Sequence, residues 1–281
     1  MTDRAASGVS RYILDGSDAD LQRLLGIAQV YEDATREALV RAGIREGWRV
    51  LECGCGPVGA LPILSDLVGP TGHVVGVDFV ESTVERARSI IGELGLENVD
   101  VIVGDVNGVD LASRLGGPID LAFTRCFLMH QAHPERTLGH IADLLRPGGL
   151  IVCHEPMRTP LPRSHPDLGV DALGIYWELM HKTMVSAGAS DRTVDGLYRA
   201  AGSLGLEIVH SRGYFLVIEP ELGFELHAAS LVAFRSRVLE AGLADEREID
   251  DLVDAMRAAK HGDYDWVSGP CLLDMTFRKP E

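Results

Sequence analysis

Short apolar runs alternate with amphipathic stretches between residues 48 and 155. Five of these runs, bounded by Gly, Pro or acidic residues, have the composition of buried strands. They are WRVLEC (48–53), GHVVGVD (72–78), VDVIVGD (99–105), IDLAFTRC (119–126) and LIVCHEP (150–156). Between them, apolar residues recur at helical spacing, as at Val84, Ala87 and Ile91, and one predicted helix (134–145) ends at the turn RPGG. Strands separated by helices predict right-handed βαβ units, and therefore an α/β fold with a doubly wound parallel sheet.

The two ends of the chain break this rhythm, and we expect both to cover the sheet with helices. After Glu155 a proline-rich connection leads into two helical segments, a sixth strand, two more helices and a last strand, near residues 170–188, 193–205, 206–220, 222–262 and 266–280. We therefore expect one domain with three parts: a helical lead (1–47), a core (48–155), and the remaining strands with an inserted helical cover (156–281).

A glycine-rich turn follows the first predicted strand in VLECGCGPVG (50–59). Gly54, Gly56 and Gly59 fit the spacing G-x-G-x-x-G, which permits a tight turn and lets a ligand approach the backbone and the N-terminus of the next helix. Asp78 ends the second strand, where an acidic side chain can accept both hydroxyls of a ribose. NAD enzymes and other nucleoside-binding proteins share this pattern, so the turn predicts a nucleoside ligand without naming it.

Three further features favour a ligand other than NAD. The carboxylate of Glu52, just before the turn, would repel a pyrophosphate but would suit a cationic amino acid. The third strand ends in Gly104, Asp105 and Val106, where Asp105 could accept from an adenine amino group. The sheet also starts behind a helical lead and gains two late strands, and the chain shows no Tyr-x-x-x-Lys pair for hydride transfer.

Together, VLECGCGPVG, Asp78, GDV (104–106) and LLRPGGLIVCHEP (144–156) resemble the motifs of class I S-adenosylmethionine-dependent methyltransferases, in the ubiquinone-biosynthesis-like group of small-molecule enzymes. The resemblance covers roughly residues 48–155 and extends less specifically into the last two strands. It implies a Rossmann-like, mostly parallel seven-stranded sheet with an antiparallel last strand. It also implies S-adenosyl-L-methionine as cofactor, but it says nothing specific about the substrate.

The resemblance implies a role for each matching residue. Glu52, Gly54 and Gly56 would lie along the methionine part of the cofactor, with Arg125 near its amino-acid group. Asp78 would hold the ribose. Around the adenine would lie Phe79, Gly104, Asp105 and Val106. Tyr12 would either cover the cofactor or pack as a surface aromatic under the lead helix. Pro57 and Val58 depart from the usual small residues of the turn but leave its glycines intact.

Methyl transfer requires an aligned acceptor atom and the exclusion of water, and a general base only if the acceptor keeps its proton until attack. His130, His133 and Glu155 follow strands four and five and are the candidate bases, although a histidine in this loop can instead brace the cofactor pocket. Tyr176, Met180 and Met184 recur at a spacing of four residues beside His181. This stripe predicts either an apolar acceptor pocket, with Tyr176, Met180 and His181 as substrate-binding residues, or simple packing of a cover helix.

Charge and cysteine usage limit the partners. The net charge is −16, and no run of Lys or Arg occurs, which argues against nucleic acid and anionic membranes and favours a small-molecule substrate. Five scattered cysteines, no apolar leader and no long apolar run indicate a cytoplasmic protein with reduced thiols. Cys53 and Cys55 lack a second pair at zinc spacing, so we expect no metal. A homodimer is compatible with the exposed helices.

These observations favour a small-molecule methyltransferase of secondary metabolism, with O-methylation ahead of N- or C-methylation. Two alternatives stay open. The same fold can bind S-adenosylmethionine and catalyse a non-methylating reaction such as a cyclisation, and an NAD-dependent oxidoreductase shares the glycine fingerprint.

Overall fold

The computed structural model describes residues 18–157, 172–190, 193–259 and 266–281. Within these ranges the chain forms one sheet of seven strands. The strands are β1 (Arg49–Cys53), β2 (His73–Asp78), β3 (Val99–Val103), β4 (Ile119–Arg125), β5 (Leu145–Met157), β6 (Glu207–Ile218) and β7 (Val267–Arg278).

The strand order is β3-β2-β1-β4-β5-β7-β6. The first five strands in the chain pair in parallel, whereas β7 lies between β5 and β6 and is antiparallel to both. This confirms the Rossmann-like, seven-stranded α/β sheet with an antiparallel last strand. The order reverses between β1 and β4, and open α/β sheets bind ligands in the crevice that such a reversal leaves beyond the carboxyl ends of the strands.

The helices lie on both faces of the sheet and over its carboxyl edge. They are α1 (Asp18–Val30), α2 (Glu32–Ala42), α3 (Leu61–Val68), α4 (Glu81–Leu94), α5 (Leu111–Arg114), α6 (Pro134–Leu144), α7 (Ala172–Ser186), α8 (Thr193–Ser203), α9 (Pro220–Ala233), α10 (Arg235–Glu240) and α11 (Glu246–Ala259).

Three apolar clusters hold these layers together. Along β1 the side chains alternate, so that Val50 packs with α3 and α4 on one face of the sheet while Leu51 packs with α6 and α8 on the other. The third cluster lies outside the sheet. It is built from α7, α9, α10 and α11 around buried residues such as Tyr176 and Phe234. The cover therefore has a core of its own.

The structure differs from the sequence prediction in three elements. The segment RPGG (146–149) is part of β5 and not a free turn, because the chain end holds it: Gly148 N donates to Lys279 O, and Lys279 N donates to Gly149 O. A short helix, α5, stands between β3 and β4, where we predicted none. Residues 222–259 contain parts of three helices instead of two, because the helix is interrupted at Phe234, which lies between α9 and α10.

Candidate cofactor and acceptor site

A cavity of about 210 Å³ lies at the carboxyl edge of β1, β2 and β4. The glycine turn forms one end, and α1, α7 and α9 form the other. Nine of the residues predicted from the sequence line this cavity, namely Glu52, Gly54, Gly56, Asp78, Phe79, Arg125, His130, Tyr176 and Met180. Residues from four separate stretches of the chain therefore meet at the strand reversal.

All three glycines of the turn have positive φ, at 66° for Gly54, 59° for Gly56 and 48° for Gly59. A Cβ on Gly54 would collide with the ring of Phe127, and one on Gly59 with the carboxylate of Glu52. A Cβ on Gly56, in contrast, would meet no protein atom within 4 Å. Two glycines are thus required for packing, whereas Gly56 leaves space inside the cavity.

Glu52 is buried beside this turn, with an exposed fraction of 2%. Its Oε1 accepts a hydrogen bond from Ala60 N at 2.7 Å, while its Oε2 is buried with no hydrogen-bond partner in the structure. Burial raises the pKa of Glu52 to about 7, although the nearby charge of Arg125 opposes that rise. The lone oxygen is a ready acceptor for a cation that enters the cavity.

Asp78 links the end of β2 to the turn. Its Oδ2 accepts from Gly56 N at 3.1 Å and its Oδ1 accepts from Val80 N at 3.0 Å. Burial raises the pKa of this carboxyl, and the backbone hydrogen bonds from Val80 and Gly56 oppose the rise. Phe79 follows with 41% of its surface exposed, as an open apolar face at the cavity.

The segment Gly104–Val106 does not line the cavity. It lies one strand further along the edge, where Gly104 N donates to Asp78 O at 2.8 Å. The carboxylate of Asp105 accepts from Asn107 N at 2.9 Å, and Val106 is buried in the core. The adenine-binding role of these residues therefore stays a prediction.

Glu155 does not have the position that we predicted for a residue that touches substrate. It is fully buried and does not line the cavity. Its Oε1 accepts from Thr124 Oγ1 and from Phe127 N and Leu128 N, and its Oε2 accepts from Met129 N. Burial raises its pKa to about 7. Because strand alternation turns Glu155 beneath the loop after β4, it anchors that loop instead of lining the cavity.

The candidate histidines have different positions. His130 lines the cavity, and burial lowers its pKa to about 4, with the charge of Arg23 adding to the shift. His133 lies outside the cavity with about half of its side chain exposed (51%), near Glu135, because it stands at the start of α6. His181 also lies outside the cavity lining, although Tyr176, Met180 and Met184 of the same helix line it. His133 and His181 therefore do not line this cavity, and their contact with substrate stays a prediction.

Several cavity residues escaped the sequence prediction. Arg23 and Ile27 on α1, and Tyr31 directly after that helix, line the cavity. Their spacing of four residues, which places side chains on one helix face, was the signal available in the sequence. The others are Cys126, which has the unusual φ of 51°, Met129, Trp177, Ser230 and Phe234. No local pattern marks these. Tyr12, predicted to cover the cofactor, lies outside the described residues.

A family model for the methyltransferase domain matches residues 44–184. The chain belongs to the class I S-adenosylmethionine-dependent methyltransferases. It is 36% identical over 143 residues to an uncharacterised 37.1 kDa protein in transposon TN4556 of Streptomyces fradiae, a match covering 51% of this chain and 39% of that protein. It is 27% identical over 169 residues to an arsenite methyltransferase of Halobacterium salinarum, covering 60% of this chain and 39% of the relative. The match thus spans well under half the length of these relatives.

Two solved structures share the fold of this methyltransferase. The cyclopropane synthase MmaA2 from Mycobacterium tuberculosis superposes with a TM-score of 0.55 at 17% identity, covering 90% of this chain and 84% of that one. The [4+2]-cyclase SpnF gives a TM-score of 0.50 at 20% identity, covering 98% and 88%. At such identities the likeness concerns the fold alone.

The residues at the turn fit S-adenosylmethionine, the cofactor of this methyltransferase. The partnerless Oε2 of Glu52 suits its ammonium group, and the open space at Gly56 admits a ligand against the backbone. The carboxylate of Asp78 provides the acceptor that a ribose needs. Among the described residues, no group of three His, Cys, Asp or Glu side chains could hold a metal ion.

Two glycine substitutions should separate packing from ligand binding. We expect Gly56→Ala to fold with a penalty of about 1–2 kcal/mol for its positive φ, since its Cβ meets no protein atom. The same methyl group should lower the affinity for S-adenosylhomocysteine by about tenfold or more, as expected for an overpacked contact. Gly54→Ala should instead unfold more easily, because its Cβ strikes Phe127. Thermal melting and calorimetry test this, and equal melting temperatures for the two variants would contradict it.

The raised pKa of Glu52 predicts proton release on cofactor binding. Near pH 6 the free protein holds Glu52 mostly protonated, because its pKa is about 7. An ammonium group beside Oε2 favours the ionised form, so binding should release most of a proton at pH 6 and almost none well above pH 8. Calorimetry in two buffers of different ionisation enthalpy measures this release. The proton release should vanish in Glu52→Gln. If that variant still released a proton, the proton would come from another group.

Proposed function

We propose that this methyltransferase transfers a methyl group to an oxygen atom of a small, largely apolar molecule of secondary metabolism. One observation carries the proposal. A single cavity joins the glycine turn to a wall made by Tyr176, Trp177, Met180, Met184 and Phe234. Apolar and aromatic linings with few polar groups are typical of small-molecule sites. That wall comes from α7 and the end of α9, so the acceptor end of the cavity is built by the cover.

S-adenosylmethionine, when bound, supplies an electrophilic methyl carbon: the acceptor lone pair bonds to it while the S–CH₃ electron pair returns to sulfur. The chain's own residues hold the cofactor and orient the acceptor. Glu52 and Asp78 fix the charged and ribose ends of the cofactor at the edge of the sheet. The third apolar cluster, built from α7, α9, α10 and α11, closes the acceptor end and excludes water.

His130 is the remaining candidate base that lines the cavity. With a pKa lowered to about 4, its imidazole is neutral at pH 7 and can accept a hydrogen bond from an acceptor hydroxyl. The same low pKa makes its protonated form costly, so His130 positions an acceptor more readily than it removes a proton.

The test of this proposal combines binding with product analysis. Calorimetric titration with S-adenosylmethionine, S-adenosylhomocysteine and NAD should show micromolar affinity for the first two alone. Incubation with a panel of phenols, enols, amines and thiols is then followed by mass spectrometry. A product heavier by one CH₂, together with S-adenosylhomocysteine, supports methyl transfer to the acceptor. An acceptor consumed without a change of mass would support the alternative of a cyclisation, and binding of NAD alone would overturn the proposal.

We also propose a cytoplasmic protein acting on a free small molecule. Five free thiols and the net charge of −16 support this. Within the described ranges, every helix is too short or too polar to cross a bilayer. Whether the protein pairs with a second copy is tested by light scattering on the purified chain.

A further inference from the structure

Arg23 brings a cation into the acceptor end of the cavity. It lies on α1 with only 6% of its surface exposed, and it lines the cavity together with Leu24 and Ile27 from the same helix. Arginine is rarely buried without a partner or a function. A buried guanidinium that lines the same cavity as Met129, Trp177 and Phe234 therefore points to a function.

Asp20 holds this guanidinium in place. Its Oδ1 accepts from Arg23 Nε at 2.8 Å and from Nη2 at 2.6 Å, and its exposed fraction is 2%. The hydrogen bonds that the structure gives Arg23 use these two nitrogens and leave Nη1 for a ligand. Taking both charges out of water is costly, and an apolar pair of similar size would pack there with less cost.

Helix α1 is seated tightly enough to fix this position. A Cβ on Gly26 would lie 2.6 Å from Leu226 Cδ2, so the two helices α1 and α9 touch backbone against side chain at that point. Gly26 is one turn from Arg23, and the same contact brings the guanidinium toward the cavity wall. The orientation of Arg23 is thus set by the fold of the lead helix onto the cover.

The groups around Arg23 respond to its charge. The guanidinium contributes to lowering the pKa of His130 and opposes the rise in the pKa of Cys126 and Tyr176, which burial causes. Arg23 therefore lies between the loop after β4 and helix α7, where the cofactor end of the cavity meets its apolar wall. With His130 a poor proton acceptor, an acceptor oxygen that enters without its proton would need a positive partner at this place.

We propose that Arg23, held by Asp20, binds the ionised oxygen of an apolar acceptor, such as a phenolate or an enolate, and so selects weakly acidic hydroxyl compounds. This rests on the proposed function and names its substrate class. An oxygen bound as the anion has already lost its proton, so methylation needs no general base, and the transfer leaves a neutral ether and a neutral thioether. The ionisable and charged groups that line the cavity or hold Arg23 are Asp20, Tyr31, Glu52, Cys55, Asp78, Arg125, Cys126, His130 and Tyr176.

The experiment uses 4-nitrophenol, whose anion absorbs visible light, and its neutral methyl ether 4-nitroanisole. Both are titrated into the whole protein with and without S-adenosylhomocysteine. We expect the wild-type protein to lower the pKa of bound 4-nitrophenol by at least about one unit, as a cation close to an oxyanion does. Arg23→Gln should abolish that shift and weaken phenolate binding about tenfold, with 4-nitroanisole binding unchanged.

Variants guard against a folding artefact. Arg23→Gln removes the guanidinium that Asp20 binds and leaves the buried carboxylate in place, so the double variant Asp20→Asn/Arg23→Gln removes both charges, and Arg23→Lys keeps the positive one. The double variant should bind 4-nitroanisole but not shift 4-nitrophenol, and the lysine variant should retain part of the shift. A wild-type protein that leaves the pKa of 4-nitrophenol unchanged, or an unchanged shift in the double variant, overturns the proposal. Failure to bind S-adenosylhomocysteine would instead overturn the proposed function. Because the pKa of bound 4-nitrophenol is measured with and without S-adenosylhomocysteine, the two failures can be told apart.

Discussion

Asp78→Ala should weaken the binding of S-adenosylhomocysteine by about 100-fold or more. The carboxylate stands at the end of β2, where it accepts from Gly56 N at 3.1 Å and from Val80 N at 3.0 Å. It therefore both shapes the glycine turn and offers oxygens to a ribose. Losing two hydrogen bonds to a charged acceptor costs roughly 3 kcal/mol or more, which corresponds to at least about two orders of magnitude in affinity.

The matched control for this variant is Asp100→Ala, on the neighbouring strand β3. Asp100 has 70% of its side chain exposed and pairs with His73 at the surface, away from the cavity. Its replacement should leave cofactor affinity within about twofold, as is usual for an exposed surface contact. Calorimetry on both variants, after circular dichroism shows that each is folded, decides the matter. A folded Asp78→Ala protein with wild-type affinity would remove Asp78 from the site.

Glu155→Ala should lower the free energy of unfolding by about 3–5 kcal/mol, the range expected when a buried hydrogen-bond network is broken. The fully buried carboxylate accepts from Thr124 Oγ1 and from three consecutive backbone nitrogens, Phe127 to Met129. Without it these donors are left unpaired beneath the loop that carries His130 to the cavity. Urea unfolding followed by fluorescence measures the loss.

Two variants sharpen the result for Glu155. Glu155→Gln keeps an acceptor oxygen and should lose less stability. Glu207→Ala, which removes a surface partner of Arg278, should change stability by at most about 1 kcal/mol. If Glu155→Ala were as stable as the wild-type protein but inactive, the side chain would act in the chemistry after all, as its place after strand five suggested.

The pH dependence of stability follows from the same group. Burial raises the pKa of Glu155 to about 7, above its usual value of 4.5, so the ionised form opposes folding. Its contribution to stability should therefore increase as the pH falls from above 7 toward 4.5 and stay constant below that. Glu52 adds a parallel dependence, because its pKa is raised to the same value. Glu155→Gln should remove one of the two contributions and leave the other.

The sequence by itself determined the sheet and the cofactor end of the site. Alternating apolar runs and helical repeats place β1 to β5 correctly, because strand and helix periodicity are local properties of the chain. The glycine spacing, Glu52 and Asp78 were equally readable, since each stands at a fixed offset from a strand end. In a parallel sheet those ends meet at one edge whatever the rest of the fold does.

Only the tertiary structure decided which neighbouring side chains enter the cavity. Glu155 and Pro156 are adjacent, yet strand pleating buries the first beneath the loop and turns the second to the cavity. Arg23 was hidden for another reason. Its spacing with Ile27 and Tyr31 marks one face of α1, but the place of that face depends on α1 packing against α9, about two hundred residues later in the chain, which no local pattern encodes. The proposed acceptor end of the cavity is therefore a product of long-range packing, whereas its proposed cofactor end follows from short-range pattern.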